Sequence, residues 1–444
     1  MQKKEKDSMR YISTNGKTPG TTLAHAAEAC VAPDGGLYIP ERIPELPRAF
    51  FNNLGDMTMR DIAYVVCSSF MDGEFPAATV KEIVDSAFAT EAPLAGVGFD
   101  THVLELFHGP TLTFKDYGSR FFGALLSRVP APGRRRVVLV STVGNSGAST
   151  AYGFGGEKGV EVFVLYPTGV LGRMARRQFT AAAPNVHALE VMGTIDDCKA
   201  LVAASVADEG LSELSLTCAN SLNIARVLPQ VVFAFHAYAR MLGAGVRNAG
   251  RAVYSIPCGN LGNLVAALIA RRMGLPMGAI VGVSNVNDAL RRNLAEAAGP
   301  DERPVATYAP SMDLLRPSGL PRLTALCGGA DGVQREITVA APVSDRDIAA
   351  AILRLRTDYG YTIDPHGAAA YVGAMRAKAP AGVPRVVFAT AHPAKNLDIM
   401  TAITGAPVEL PVQLTRFMSG GRHPLVMPAT MAALRRALLA NPRK

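Results

Sequence analysis

The sequence predicts an α/β fold with two open, mostly parallel sheets covered by helices and a mainly helical unit ahead of them. Three observations carry this expectation. Short β-branched runs end in glycine-containing loops; segments of helical spacing follow those loops; and 444 residues are too many for one compact core. Strand–loop–helix alternation of this kind buries a parallel sheet between helices.

The elements follow in chain order. Residues 9–98 open with the turn-rich "APDGGLYIPERIPELP", then give "IAYVVCSSFM" and "VKEIVDSAFA", both with apolar residues at helical spacing. "RRVVLVSTVG" (135–144) reads as a buried strand entering a loop, and "NSGASTAYGFGGEKG" after it as a helix. "VEVFVLYPTG" (160–169) repeats the strand pattern. "AVYSIPCGNLGNLVAALIARRMG" (252–274) is strand, glycine-rich loop, then helix over 264–273. "PRVVFATAHPA" (384–394) is a further strand and loop. In such sheets ligands bind beyond the carboxyl ends of the strands, which is where these loops fall.

Apolar residues make up 49% of the chain and charged residues 18%, with a net charge of +8. This is globular composition. The basic residues lie in short pairs and triplets such as Arg134-Arg135-Arg136 and Arg271-Arg272, without interleaved aromatics or a long basic run, so no nucleic-acid partner is expected. A mildly positive field suits a phosphorylated or carboxylated small substrate. The six cysteines are widely spaced with no C-x-x-C, and read as free thiols of a reducing, cytoplasmic compartment. No apolar run reaches membrane-span length. The first eight residues read as a disordered leader or a misplaced start, Met9 being the more natural beginning.

Two stretches carry chemistry. In "PCGNLGN" (257–263) a strand runs into Gly259 and Gly262, then a helix. Exposed N–H groups and the helix terminus make a phosphate cradle, without the Lys-Ser/Thr of a P-loop; the same pattern also serves a tight turn with no ligand. In "HGPTLTFKDYGSRF" (108–121), Lys115 follows Phe114 at the start of a helix-like segment. A lysine desolvated beside aromatics has a lowered pKa and can form a Schiff base; alone it also fits a lysine snorkelling at a helix start. An imine-forming amine together with a phosphate cup points to pyridoxal 5'-phosphate.

"HGPTLTFKDYGSRF" resembles the H-G-P-T-x-x-F-K-D segment of the threonine synthases, lyase-type pyridoxal enzymes. "MRYISTNG", "APDGGLYIPE", "VLYPTG", "NSLNIARVLPQ", "IPCGNLGN", "SNVNDAL", "YAPSMDLL", "DPHGAA" and "TAHPAK" match further family segments in the same order, from about residue 9 to about 410. The N-terminally extended microbial and fungal form is the nearer match. The resemblance implies an N-terminal accessory domain (1–98), a large cofactor domain (99–125 and 235–444) and a small mobile α/β domain (126–234). It implies that Lys115 carries the cofactor and acts catalytically. Gly259, Asn260, Leu261, Gly262 and Asn263 would hold the cofactor phosphate, and Thr390 would bond the pyridine nitrogen. Thr142, Gly144, Asn145, Ser146 and Gly147 would grip the substrate carboxylate, with Ser221, Asn223 and Arg226 (and, more weakly, Lys395) on the substrate phosphate. The implied reaction converts O-phospho-L-homoserine and water to L-threonine and phosphate in a monomer or homodimer, with no metal.

Several positions depart from the family pattern. Val143 replaces a serine, and a hydrogen bond lost to a carboxylate would cost roughly 1.5–3 kcal/mol. Asn145 replaces aspartate, Ser146 threonine, and Asn263 aspartate; in 316–322, Gly319 and Pro321 replace asparagine and glutamate. These changes leave open a related phospho-lyase that forms 2-oxobutyrate, or a non-catalytic paralogue. His108 and His392 lie in family motifs and are candidates to orient cofactor or phosphate. Asp313, Asp364 and His366 fit no metal-ligand spacing and read as caps and loop bonds.

Overall fold

The computed structural model describes residues 8–440 except 132, 207, 298, 300, 301, 416 and 418–420. Most of the expected leader, residues 1–7, lies outside the described residues. Met9 is buried, and its N–H donates to Asp72 O at 3.1 Å.

The strands are β1 (Tyr11–Ser13), β2 (Tyr38–Pro40), β3 (Leu94–Gly96), β4 (Thr101–Glu105), β5 (Arg135–Ser141), β6 (Val160–Pro167), β7 (Val186–Met192), β8 (Leu214–Cys218), β9 (Val253–Pro257), β10 (Ile280–Val283), β11 (Ile337–Val339), β12 (Arg385–Ala389) and β13 (Leu425–Pro428). β1 and β2 form an antiparallel pair in the N-terminal unit. A six-stranded sheet runs β11-β10-β9-β12-β4-β3, parallel except at β3–β4, and a five-stranded sheet runs β13-β7-β6-β5-β8, parallel throughout. The two mostly parallel sheets are those the sequence predicts.

The N-terminal unit is mainly helical for local reasons. In the helix Met59–Met71, residues 59, 62, 63, 66, 67, 70 and 71 are buried, one stripe at helical spacing. A capping box of Thr58 and Asp61 starts it. The unit is not an isolated module: Met9, Ile62 and Phe88 share one apolar cluster with Leu104, Phe122, Val138, Phe235 and Phe388.

β5, β6, β9 and β12 match the runs marked in the sequence, as does the helix Gly262–Arg272; the helix expected over 145–159 ends at Gly153. The chain end differs. β13 pairs with β7, and Met427, Leu434 and Leu438 share a cluster with Leu189, Leu201 and Val202. Residues 425–440 therefore complete the smaller sheet, whereas the sequence reading assigned 235–444 to the larger domain. A four-residue strand, LVMP, that joins an edge far away in the chain gives no local signal of its partner. Among the described residues no helix is long and apolar enough to cross a membrane.

Candidate active site

Lys115 is the first residue of the helix Lys115–Leu126, and its setting is built by the motif around it. Leu112 N donates to Gly109 O at 3.0 Å, with Leu112 in the left-handed region (φ 59). The Asp116 carboxylate accepts from the N–H of Thr111 at 2.8 Å and also from its hydroxyl. A Cβ on Gly109 would stand 2.4 Å from Asp116 Oδ2, so glycine is needed there for the carboxylate to close the turn. The segment then docks on the loop after β12: Phe114 N donates to Thr390 O at 3.0 Å and His392 N to Leu112 O at 3.0 Å. These bonds hold Lys115 beside Thr390. Gly118, a costly residue within a helix, lets the helix abut the Arg226 backbone, where a Cβ would lie 2.8 Å from Arg226 O.

The Lys115 amine donates to Ser146 Oγ at 3.1 Å. Burial, with the Arg226 cation adding to it, lowers its pKa to about 8. Such an amine exchanges its proton near neutral pH.

The loop after β9 turns through Leu261 (φ 63) into the helix Gly262–Arg272. Gly259 lies against the 310–312 turn, where a Cβ would meet Ser311 O at 2.7 Å. Ser311 N in turn donates to His366 Nε2 at 3.0 Å, and His366 Nδ1 bonds Asp364 Oδ2 at 2.6 Å. The ring is therefore a neutral imidazole with its proton on Nδ1. Asn260 Oδ1 accepts from the N–H and hydroxyl of Ser318, and Ser318 Oγ meets Ser221 Oγ at 3.0 Å.

After β5, Thr142 Oγ1 accepts from both Gly144 N and Gly147 N at 2.9 Å. It thereby shapes the entry to the helix Asn145–Gly153, with Gly144 at φ 136. Arg226 is buried; Nη1 donates to Ser119 Oγ at 2.5 Å and to Thr150 Oγ1 at 3.3 Å. No carboxylate of the described residues forms an ion pair with it. Burial lowers its pKa to about 10. A buried guanidinium without an anion is costly, and it marks a place where an anionic ligand is favoured.

One cavity of about 110 Å³ gathers Lys115, Ser146, Ser221, Arg226, Gly259, Asn260, Leu261, Gly262, Asn263 and Thr390. Thr142, Gly144, Asn145 and Gly147 are on the loop and helix that carry Ser146. Asn223 is not brought in: its Nδ2 donates to Ala27 O and Cys218 O and its Oδ1 accepts from Ala225 N, so it braces the 218–226 segment from behind. Val143 is 57% exposed and off the cavity wall, so the hydroxyl absent there is absent from the outer side of the loop. His108 bonds Glu105 at 2.6 Å, His392 accepts from Ala394 N, and Lys395 donates to Gln178 at 2.6 Å; none lines the cavity. Asp313 and Asp364 accept bonds from Thr307 N and Gly367 N, as loop organiser and helix cap. Sequence reasoning missed Gln230, Ser311 and the cavity position of His366. The only available signal was that all three stand inside matched motifs, Gln230 as the last residue of "NSLNIARVLPQ".

The wall fits pyridoxal phosphate. It offers an amine for an aldehyde, and a helix N-terminus preceded by Gly259, where a Cβ would press on Ser311 O at 2.7 Å. Asn263 is buried there with an Oδ1 that has no partner among the described residues; turned over, the carboxamide presents its N–H donors instead. Residues 10–88 match the family model described as threonine synthase N terminus, and residues 95–390 match that of pyridoxal-phosphate dependent enzymes. The threonine synthase of Escherichia coli is 33% identical over 97% of this chain and 99% of that protein. The Serratia marcescens threonine synthase is 34% identical over 98% and 100%. Among solved structures, PLP-bound threonine synthase from Brucella melitensis superposes with a TM-score of 0.89 at 33% identity, covering 97% of this chain and 99% of that one. The yeast threonine synthase gives 0.89 at 26% over 98% and 99%. With a lysine, a phosphate cradle and an unpaired arginine meeting in one cavity, and relatives matching from end to end, the chain belongs to the threonine synthase family of pyridoxal-phosphate-dependent enzymes.

Proposed function

We propose that this chain converts O-phospho-L-homoserine and water to L-threonine and phosphate, with Lys115 as the catalytic amine. The observation that carries the proposal is the convergence of Lys115, lowered to about 8, with the 259–263 cradle and the unpaired Arg226 on one cavity. Pyridoxal phosphate, when bound, withdraws electrons from the substrate's reacting carbons. The main-chain N–H groups of 259–263 would hold its phosphate, with the Asn263 carboxamide beside them, and the Thr390 hydroxyl would bond its ring nitrogen.

The remaining work falls to side chains. Lys115 Nζ takes and returns protons at the substrate's Cα, Cβ and Cγ, a task suited to an amine that titrates near neutral pH. Ser146 Oγ, 3.1 Å away, orients that amine. The helix N-terminus at 145–147 receives the substrate carboxylate. Arg226 and Ser221 receive the phosphate and stabilise it as it leaves Cγ. Water then adds at Cβ. Substrate enters by movement of the smaller sheet, which carries 142–147 and 221, against the larger. The enzyme acts in the cytoplasm as a monomer or homodimer.

Incubation with O-phospho-L-homoserine tests the proposal. Equal amounts of phosphate and threonine are expected. Phosphate accompanied by 2-oxobutyrate, or no phosphate from a cofactor-loaded protein, would overturn it.

A further inference from the structure

Outside the cavity the structure brings two thiols together. Cys30 follows the helix Leu23–Ala29 of the N-terminal unit, and Cys218 closes β8 of the smaller sheet. Their sulfurs lie 2.7 Å apart across 188 positions of sequence, and both are buried (1% and 4% exposed). We propose that Cys30 and Cys218 are a reversible oxidation site, a dithiol that hydrogen peroxide or a related small peroxide closes to a disulfide.

Backbone geometry at Cys30 supports a role beyond packing. The residue sits at φ 63 and ψ −50, and Val31 N donates to Ala29 O across it at 2.7 Å. This is a γ-turn of the strained hand, unusual for a residue with a side chain, and such strain gathers at functional positions. It sets Cys30 Sγ against Cys218 Sγ.

The two sulfurs are also chemically unequal. The hydrogen bond from Cys30, with the Arg226 and Arg322 cations nearby, lowers the Cys218 pKa, while the same bond and burial raise that of Cys30. Cys67, Cys198, Cys258 and Cys327 are all raised by burial. Cys218 is thus the one thiol of the six held toward the thiolate, the form that attacks peroxides. In the first step the Cys218 thiolate attacks one peroxide oxygen, the O–O bond breaks, and hydroxide leaves and is protonated to water. In the second step the Cys30 thiol attacks the resulting sulfenic sulfur, the S–S bond forms, and a second water leaves. Two thiols are oxidised by two electrons and one peroxide is reduced. The bond would tie the N-terminal unit to the segment that carries Ser221 and Arg226. Arg322 already gathers that junction, donating to Tyr38 O at 2.9 Å, to Ser221 O at 3.1 Å and to Leu222 O.

The test exposes the cofactor-loaded full chain to hydrogen peroxide, then unfolds it and alkylates it with N-ethylmaleimide. Two of the six thiols should escape alkylation, with a mass loss of about 2 Da before labelling and a peptide joining residues 30 and 218. Dithiothreitol should restore all labels, and the oxidised chain should melt at a higher temperature than the reduced one. In Cys30→Ser the reaction should stop at a sulfenic acid on Cys218 that dimedone traps. The proposal is overturned if all six thiols remain alkylatable under peroxide that oxidises glutathione in the same tube. It is equally overturned if the crosslink joins other cysteines. The wild-type measurement decides even if the variant does not fold.

Discussion

At the scale of single residues, the site concentrates buried positive charge, and two predictions follow from its cost. In the unfolded chain the Lys115 amine keeps its proton to about 10.5; in the folded, cofactor-free chain it releases it near 8. Folding therefore sheds a proton between those values. The buried cation destabilises the fold fully below pH 8, and the penalty fades as pH rises toward 10.5. Lys115→Met should make the cofactor-free chain more stable at pH 7, by on the order of 1–3 kcal/mol, with little advantage at pH 10.5, while turnover falls by roughly 10³-fold or more. Urea melts at the two pH values check this, and equal midpoints at pH 7 would refute it. Arg226 gives a companion case. Removing an unpaired buried guanidinium in Arg226→Met should leave the melting temperature unchanged or raised, yet lift KM for the phosphorylated substrate by about 10–150-fold, the worth of a charge-assisted hydrogen bond. A variant that melts at a lower temperature with KM unaltered would make Arg226 structural. The structure places Lys115 and Arg226 on the cavity wall, where the motifs they stand in led the sequence reading to expect them. Asn223 stands in the same motif as Arg226 but turns its amide to Ala27 O and Cys218 O; sequence order does not reveal which way a side chain faces.

At the scale of elements, the turn after β9 was legible because glycines between a β-branched run and an apolar helix mean a strand-to-helix turn. What sequence could not supply is which glycine the turn needs most. At Gly259 a Cβ would press on Ser311 O, a backbone atom, at 2.7 Å; at Gly262 it would meet the end of the Gln230 side chain at 3.1 Å. Backbone held by His366 and Asp364 does not yield, whereas a glutamine can rotate. Gly259→Ala should therefore weaken cofactor retention at least tenfold, about 1.4 kcal/mol or more, and Gly262→Ala by much less. Dialysis followed by absorbance of the retained cofactor distinguishes the two. Equal retention in both variants would show that the 310–312 turn does not brace the loop. The same contact explains why Ser311 was missed and His366 was read only as a loop-bonding residue: the two meet through the backbone N–H of Ser311. Val143 illustrates the converse. Its residue type departs from the family pattern, but the side chain stands outside the cavity and Thr142 Oγ1 shapes the loop. Val143→Ser should change KM less than about threefold, under 0.7 kcal/mol; a large drop in KM would place residue 143 on the substrate.

At the scale of the whole molecule, the smaller sheet is assembled from distant parts of the chain. β5 to β8 supply four strands, β13 supplies the edge beside β7, and the helix Met431–Leu439 closes the face beneath it. Thr217 Oγ1 donates to Ala27 O, so the N-terminal unit clasps the opposite edge through β8. No contiguous stretch contains this unit, which is why a division that gave it the single stretch 126–234 missed its last strand. The C-terminal helix is then a structural part of the smaller unit. Leu434 is fully buried against the cluster of Leu189, Leu201 and Val202, while Leu439 on the same helix is 39% exposed. Leu434→Ala should cost about 2–5 kcal/mol, and Leu439→Ala less than about 0.5 kcal/mol. Because the lost packing lies in the smaller unit, amide exchange in β6 and β7 should accelerate more than in β9 and β12 of the larger sheet. Uniform acceleration across both sheets would mean that the two units unfold as one, and that the movement assigned here to the smaller sheet has no separate stability to draw on.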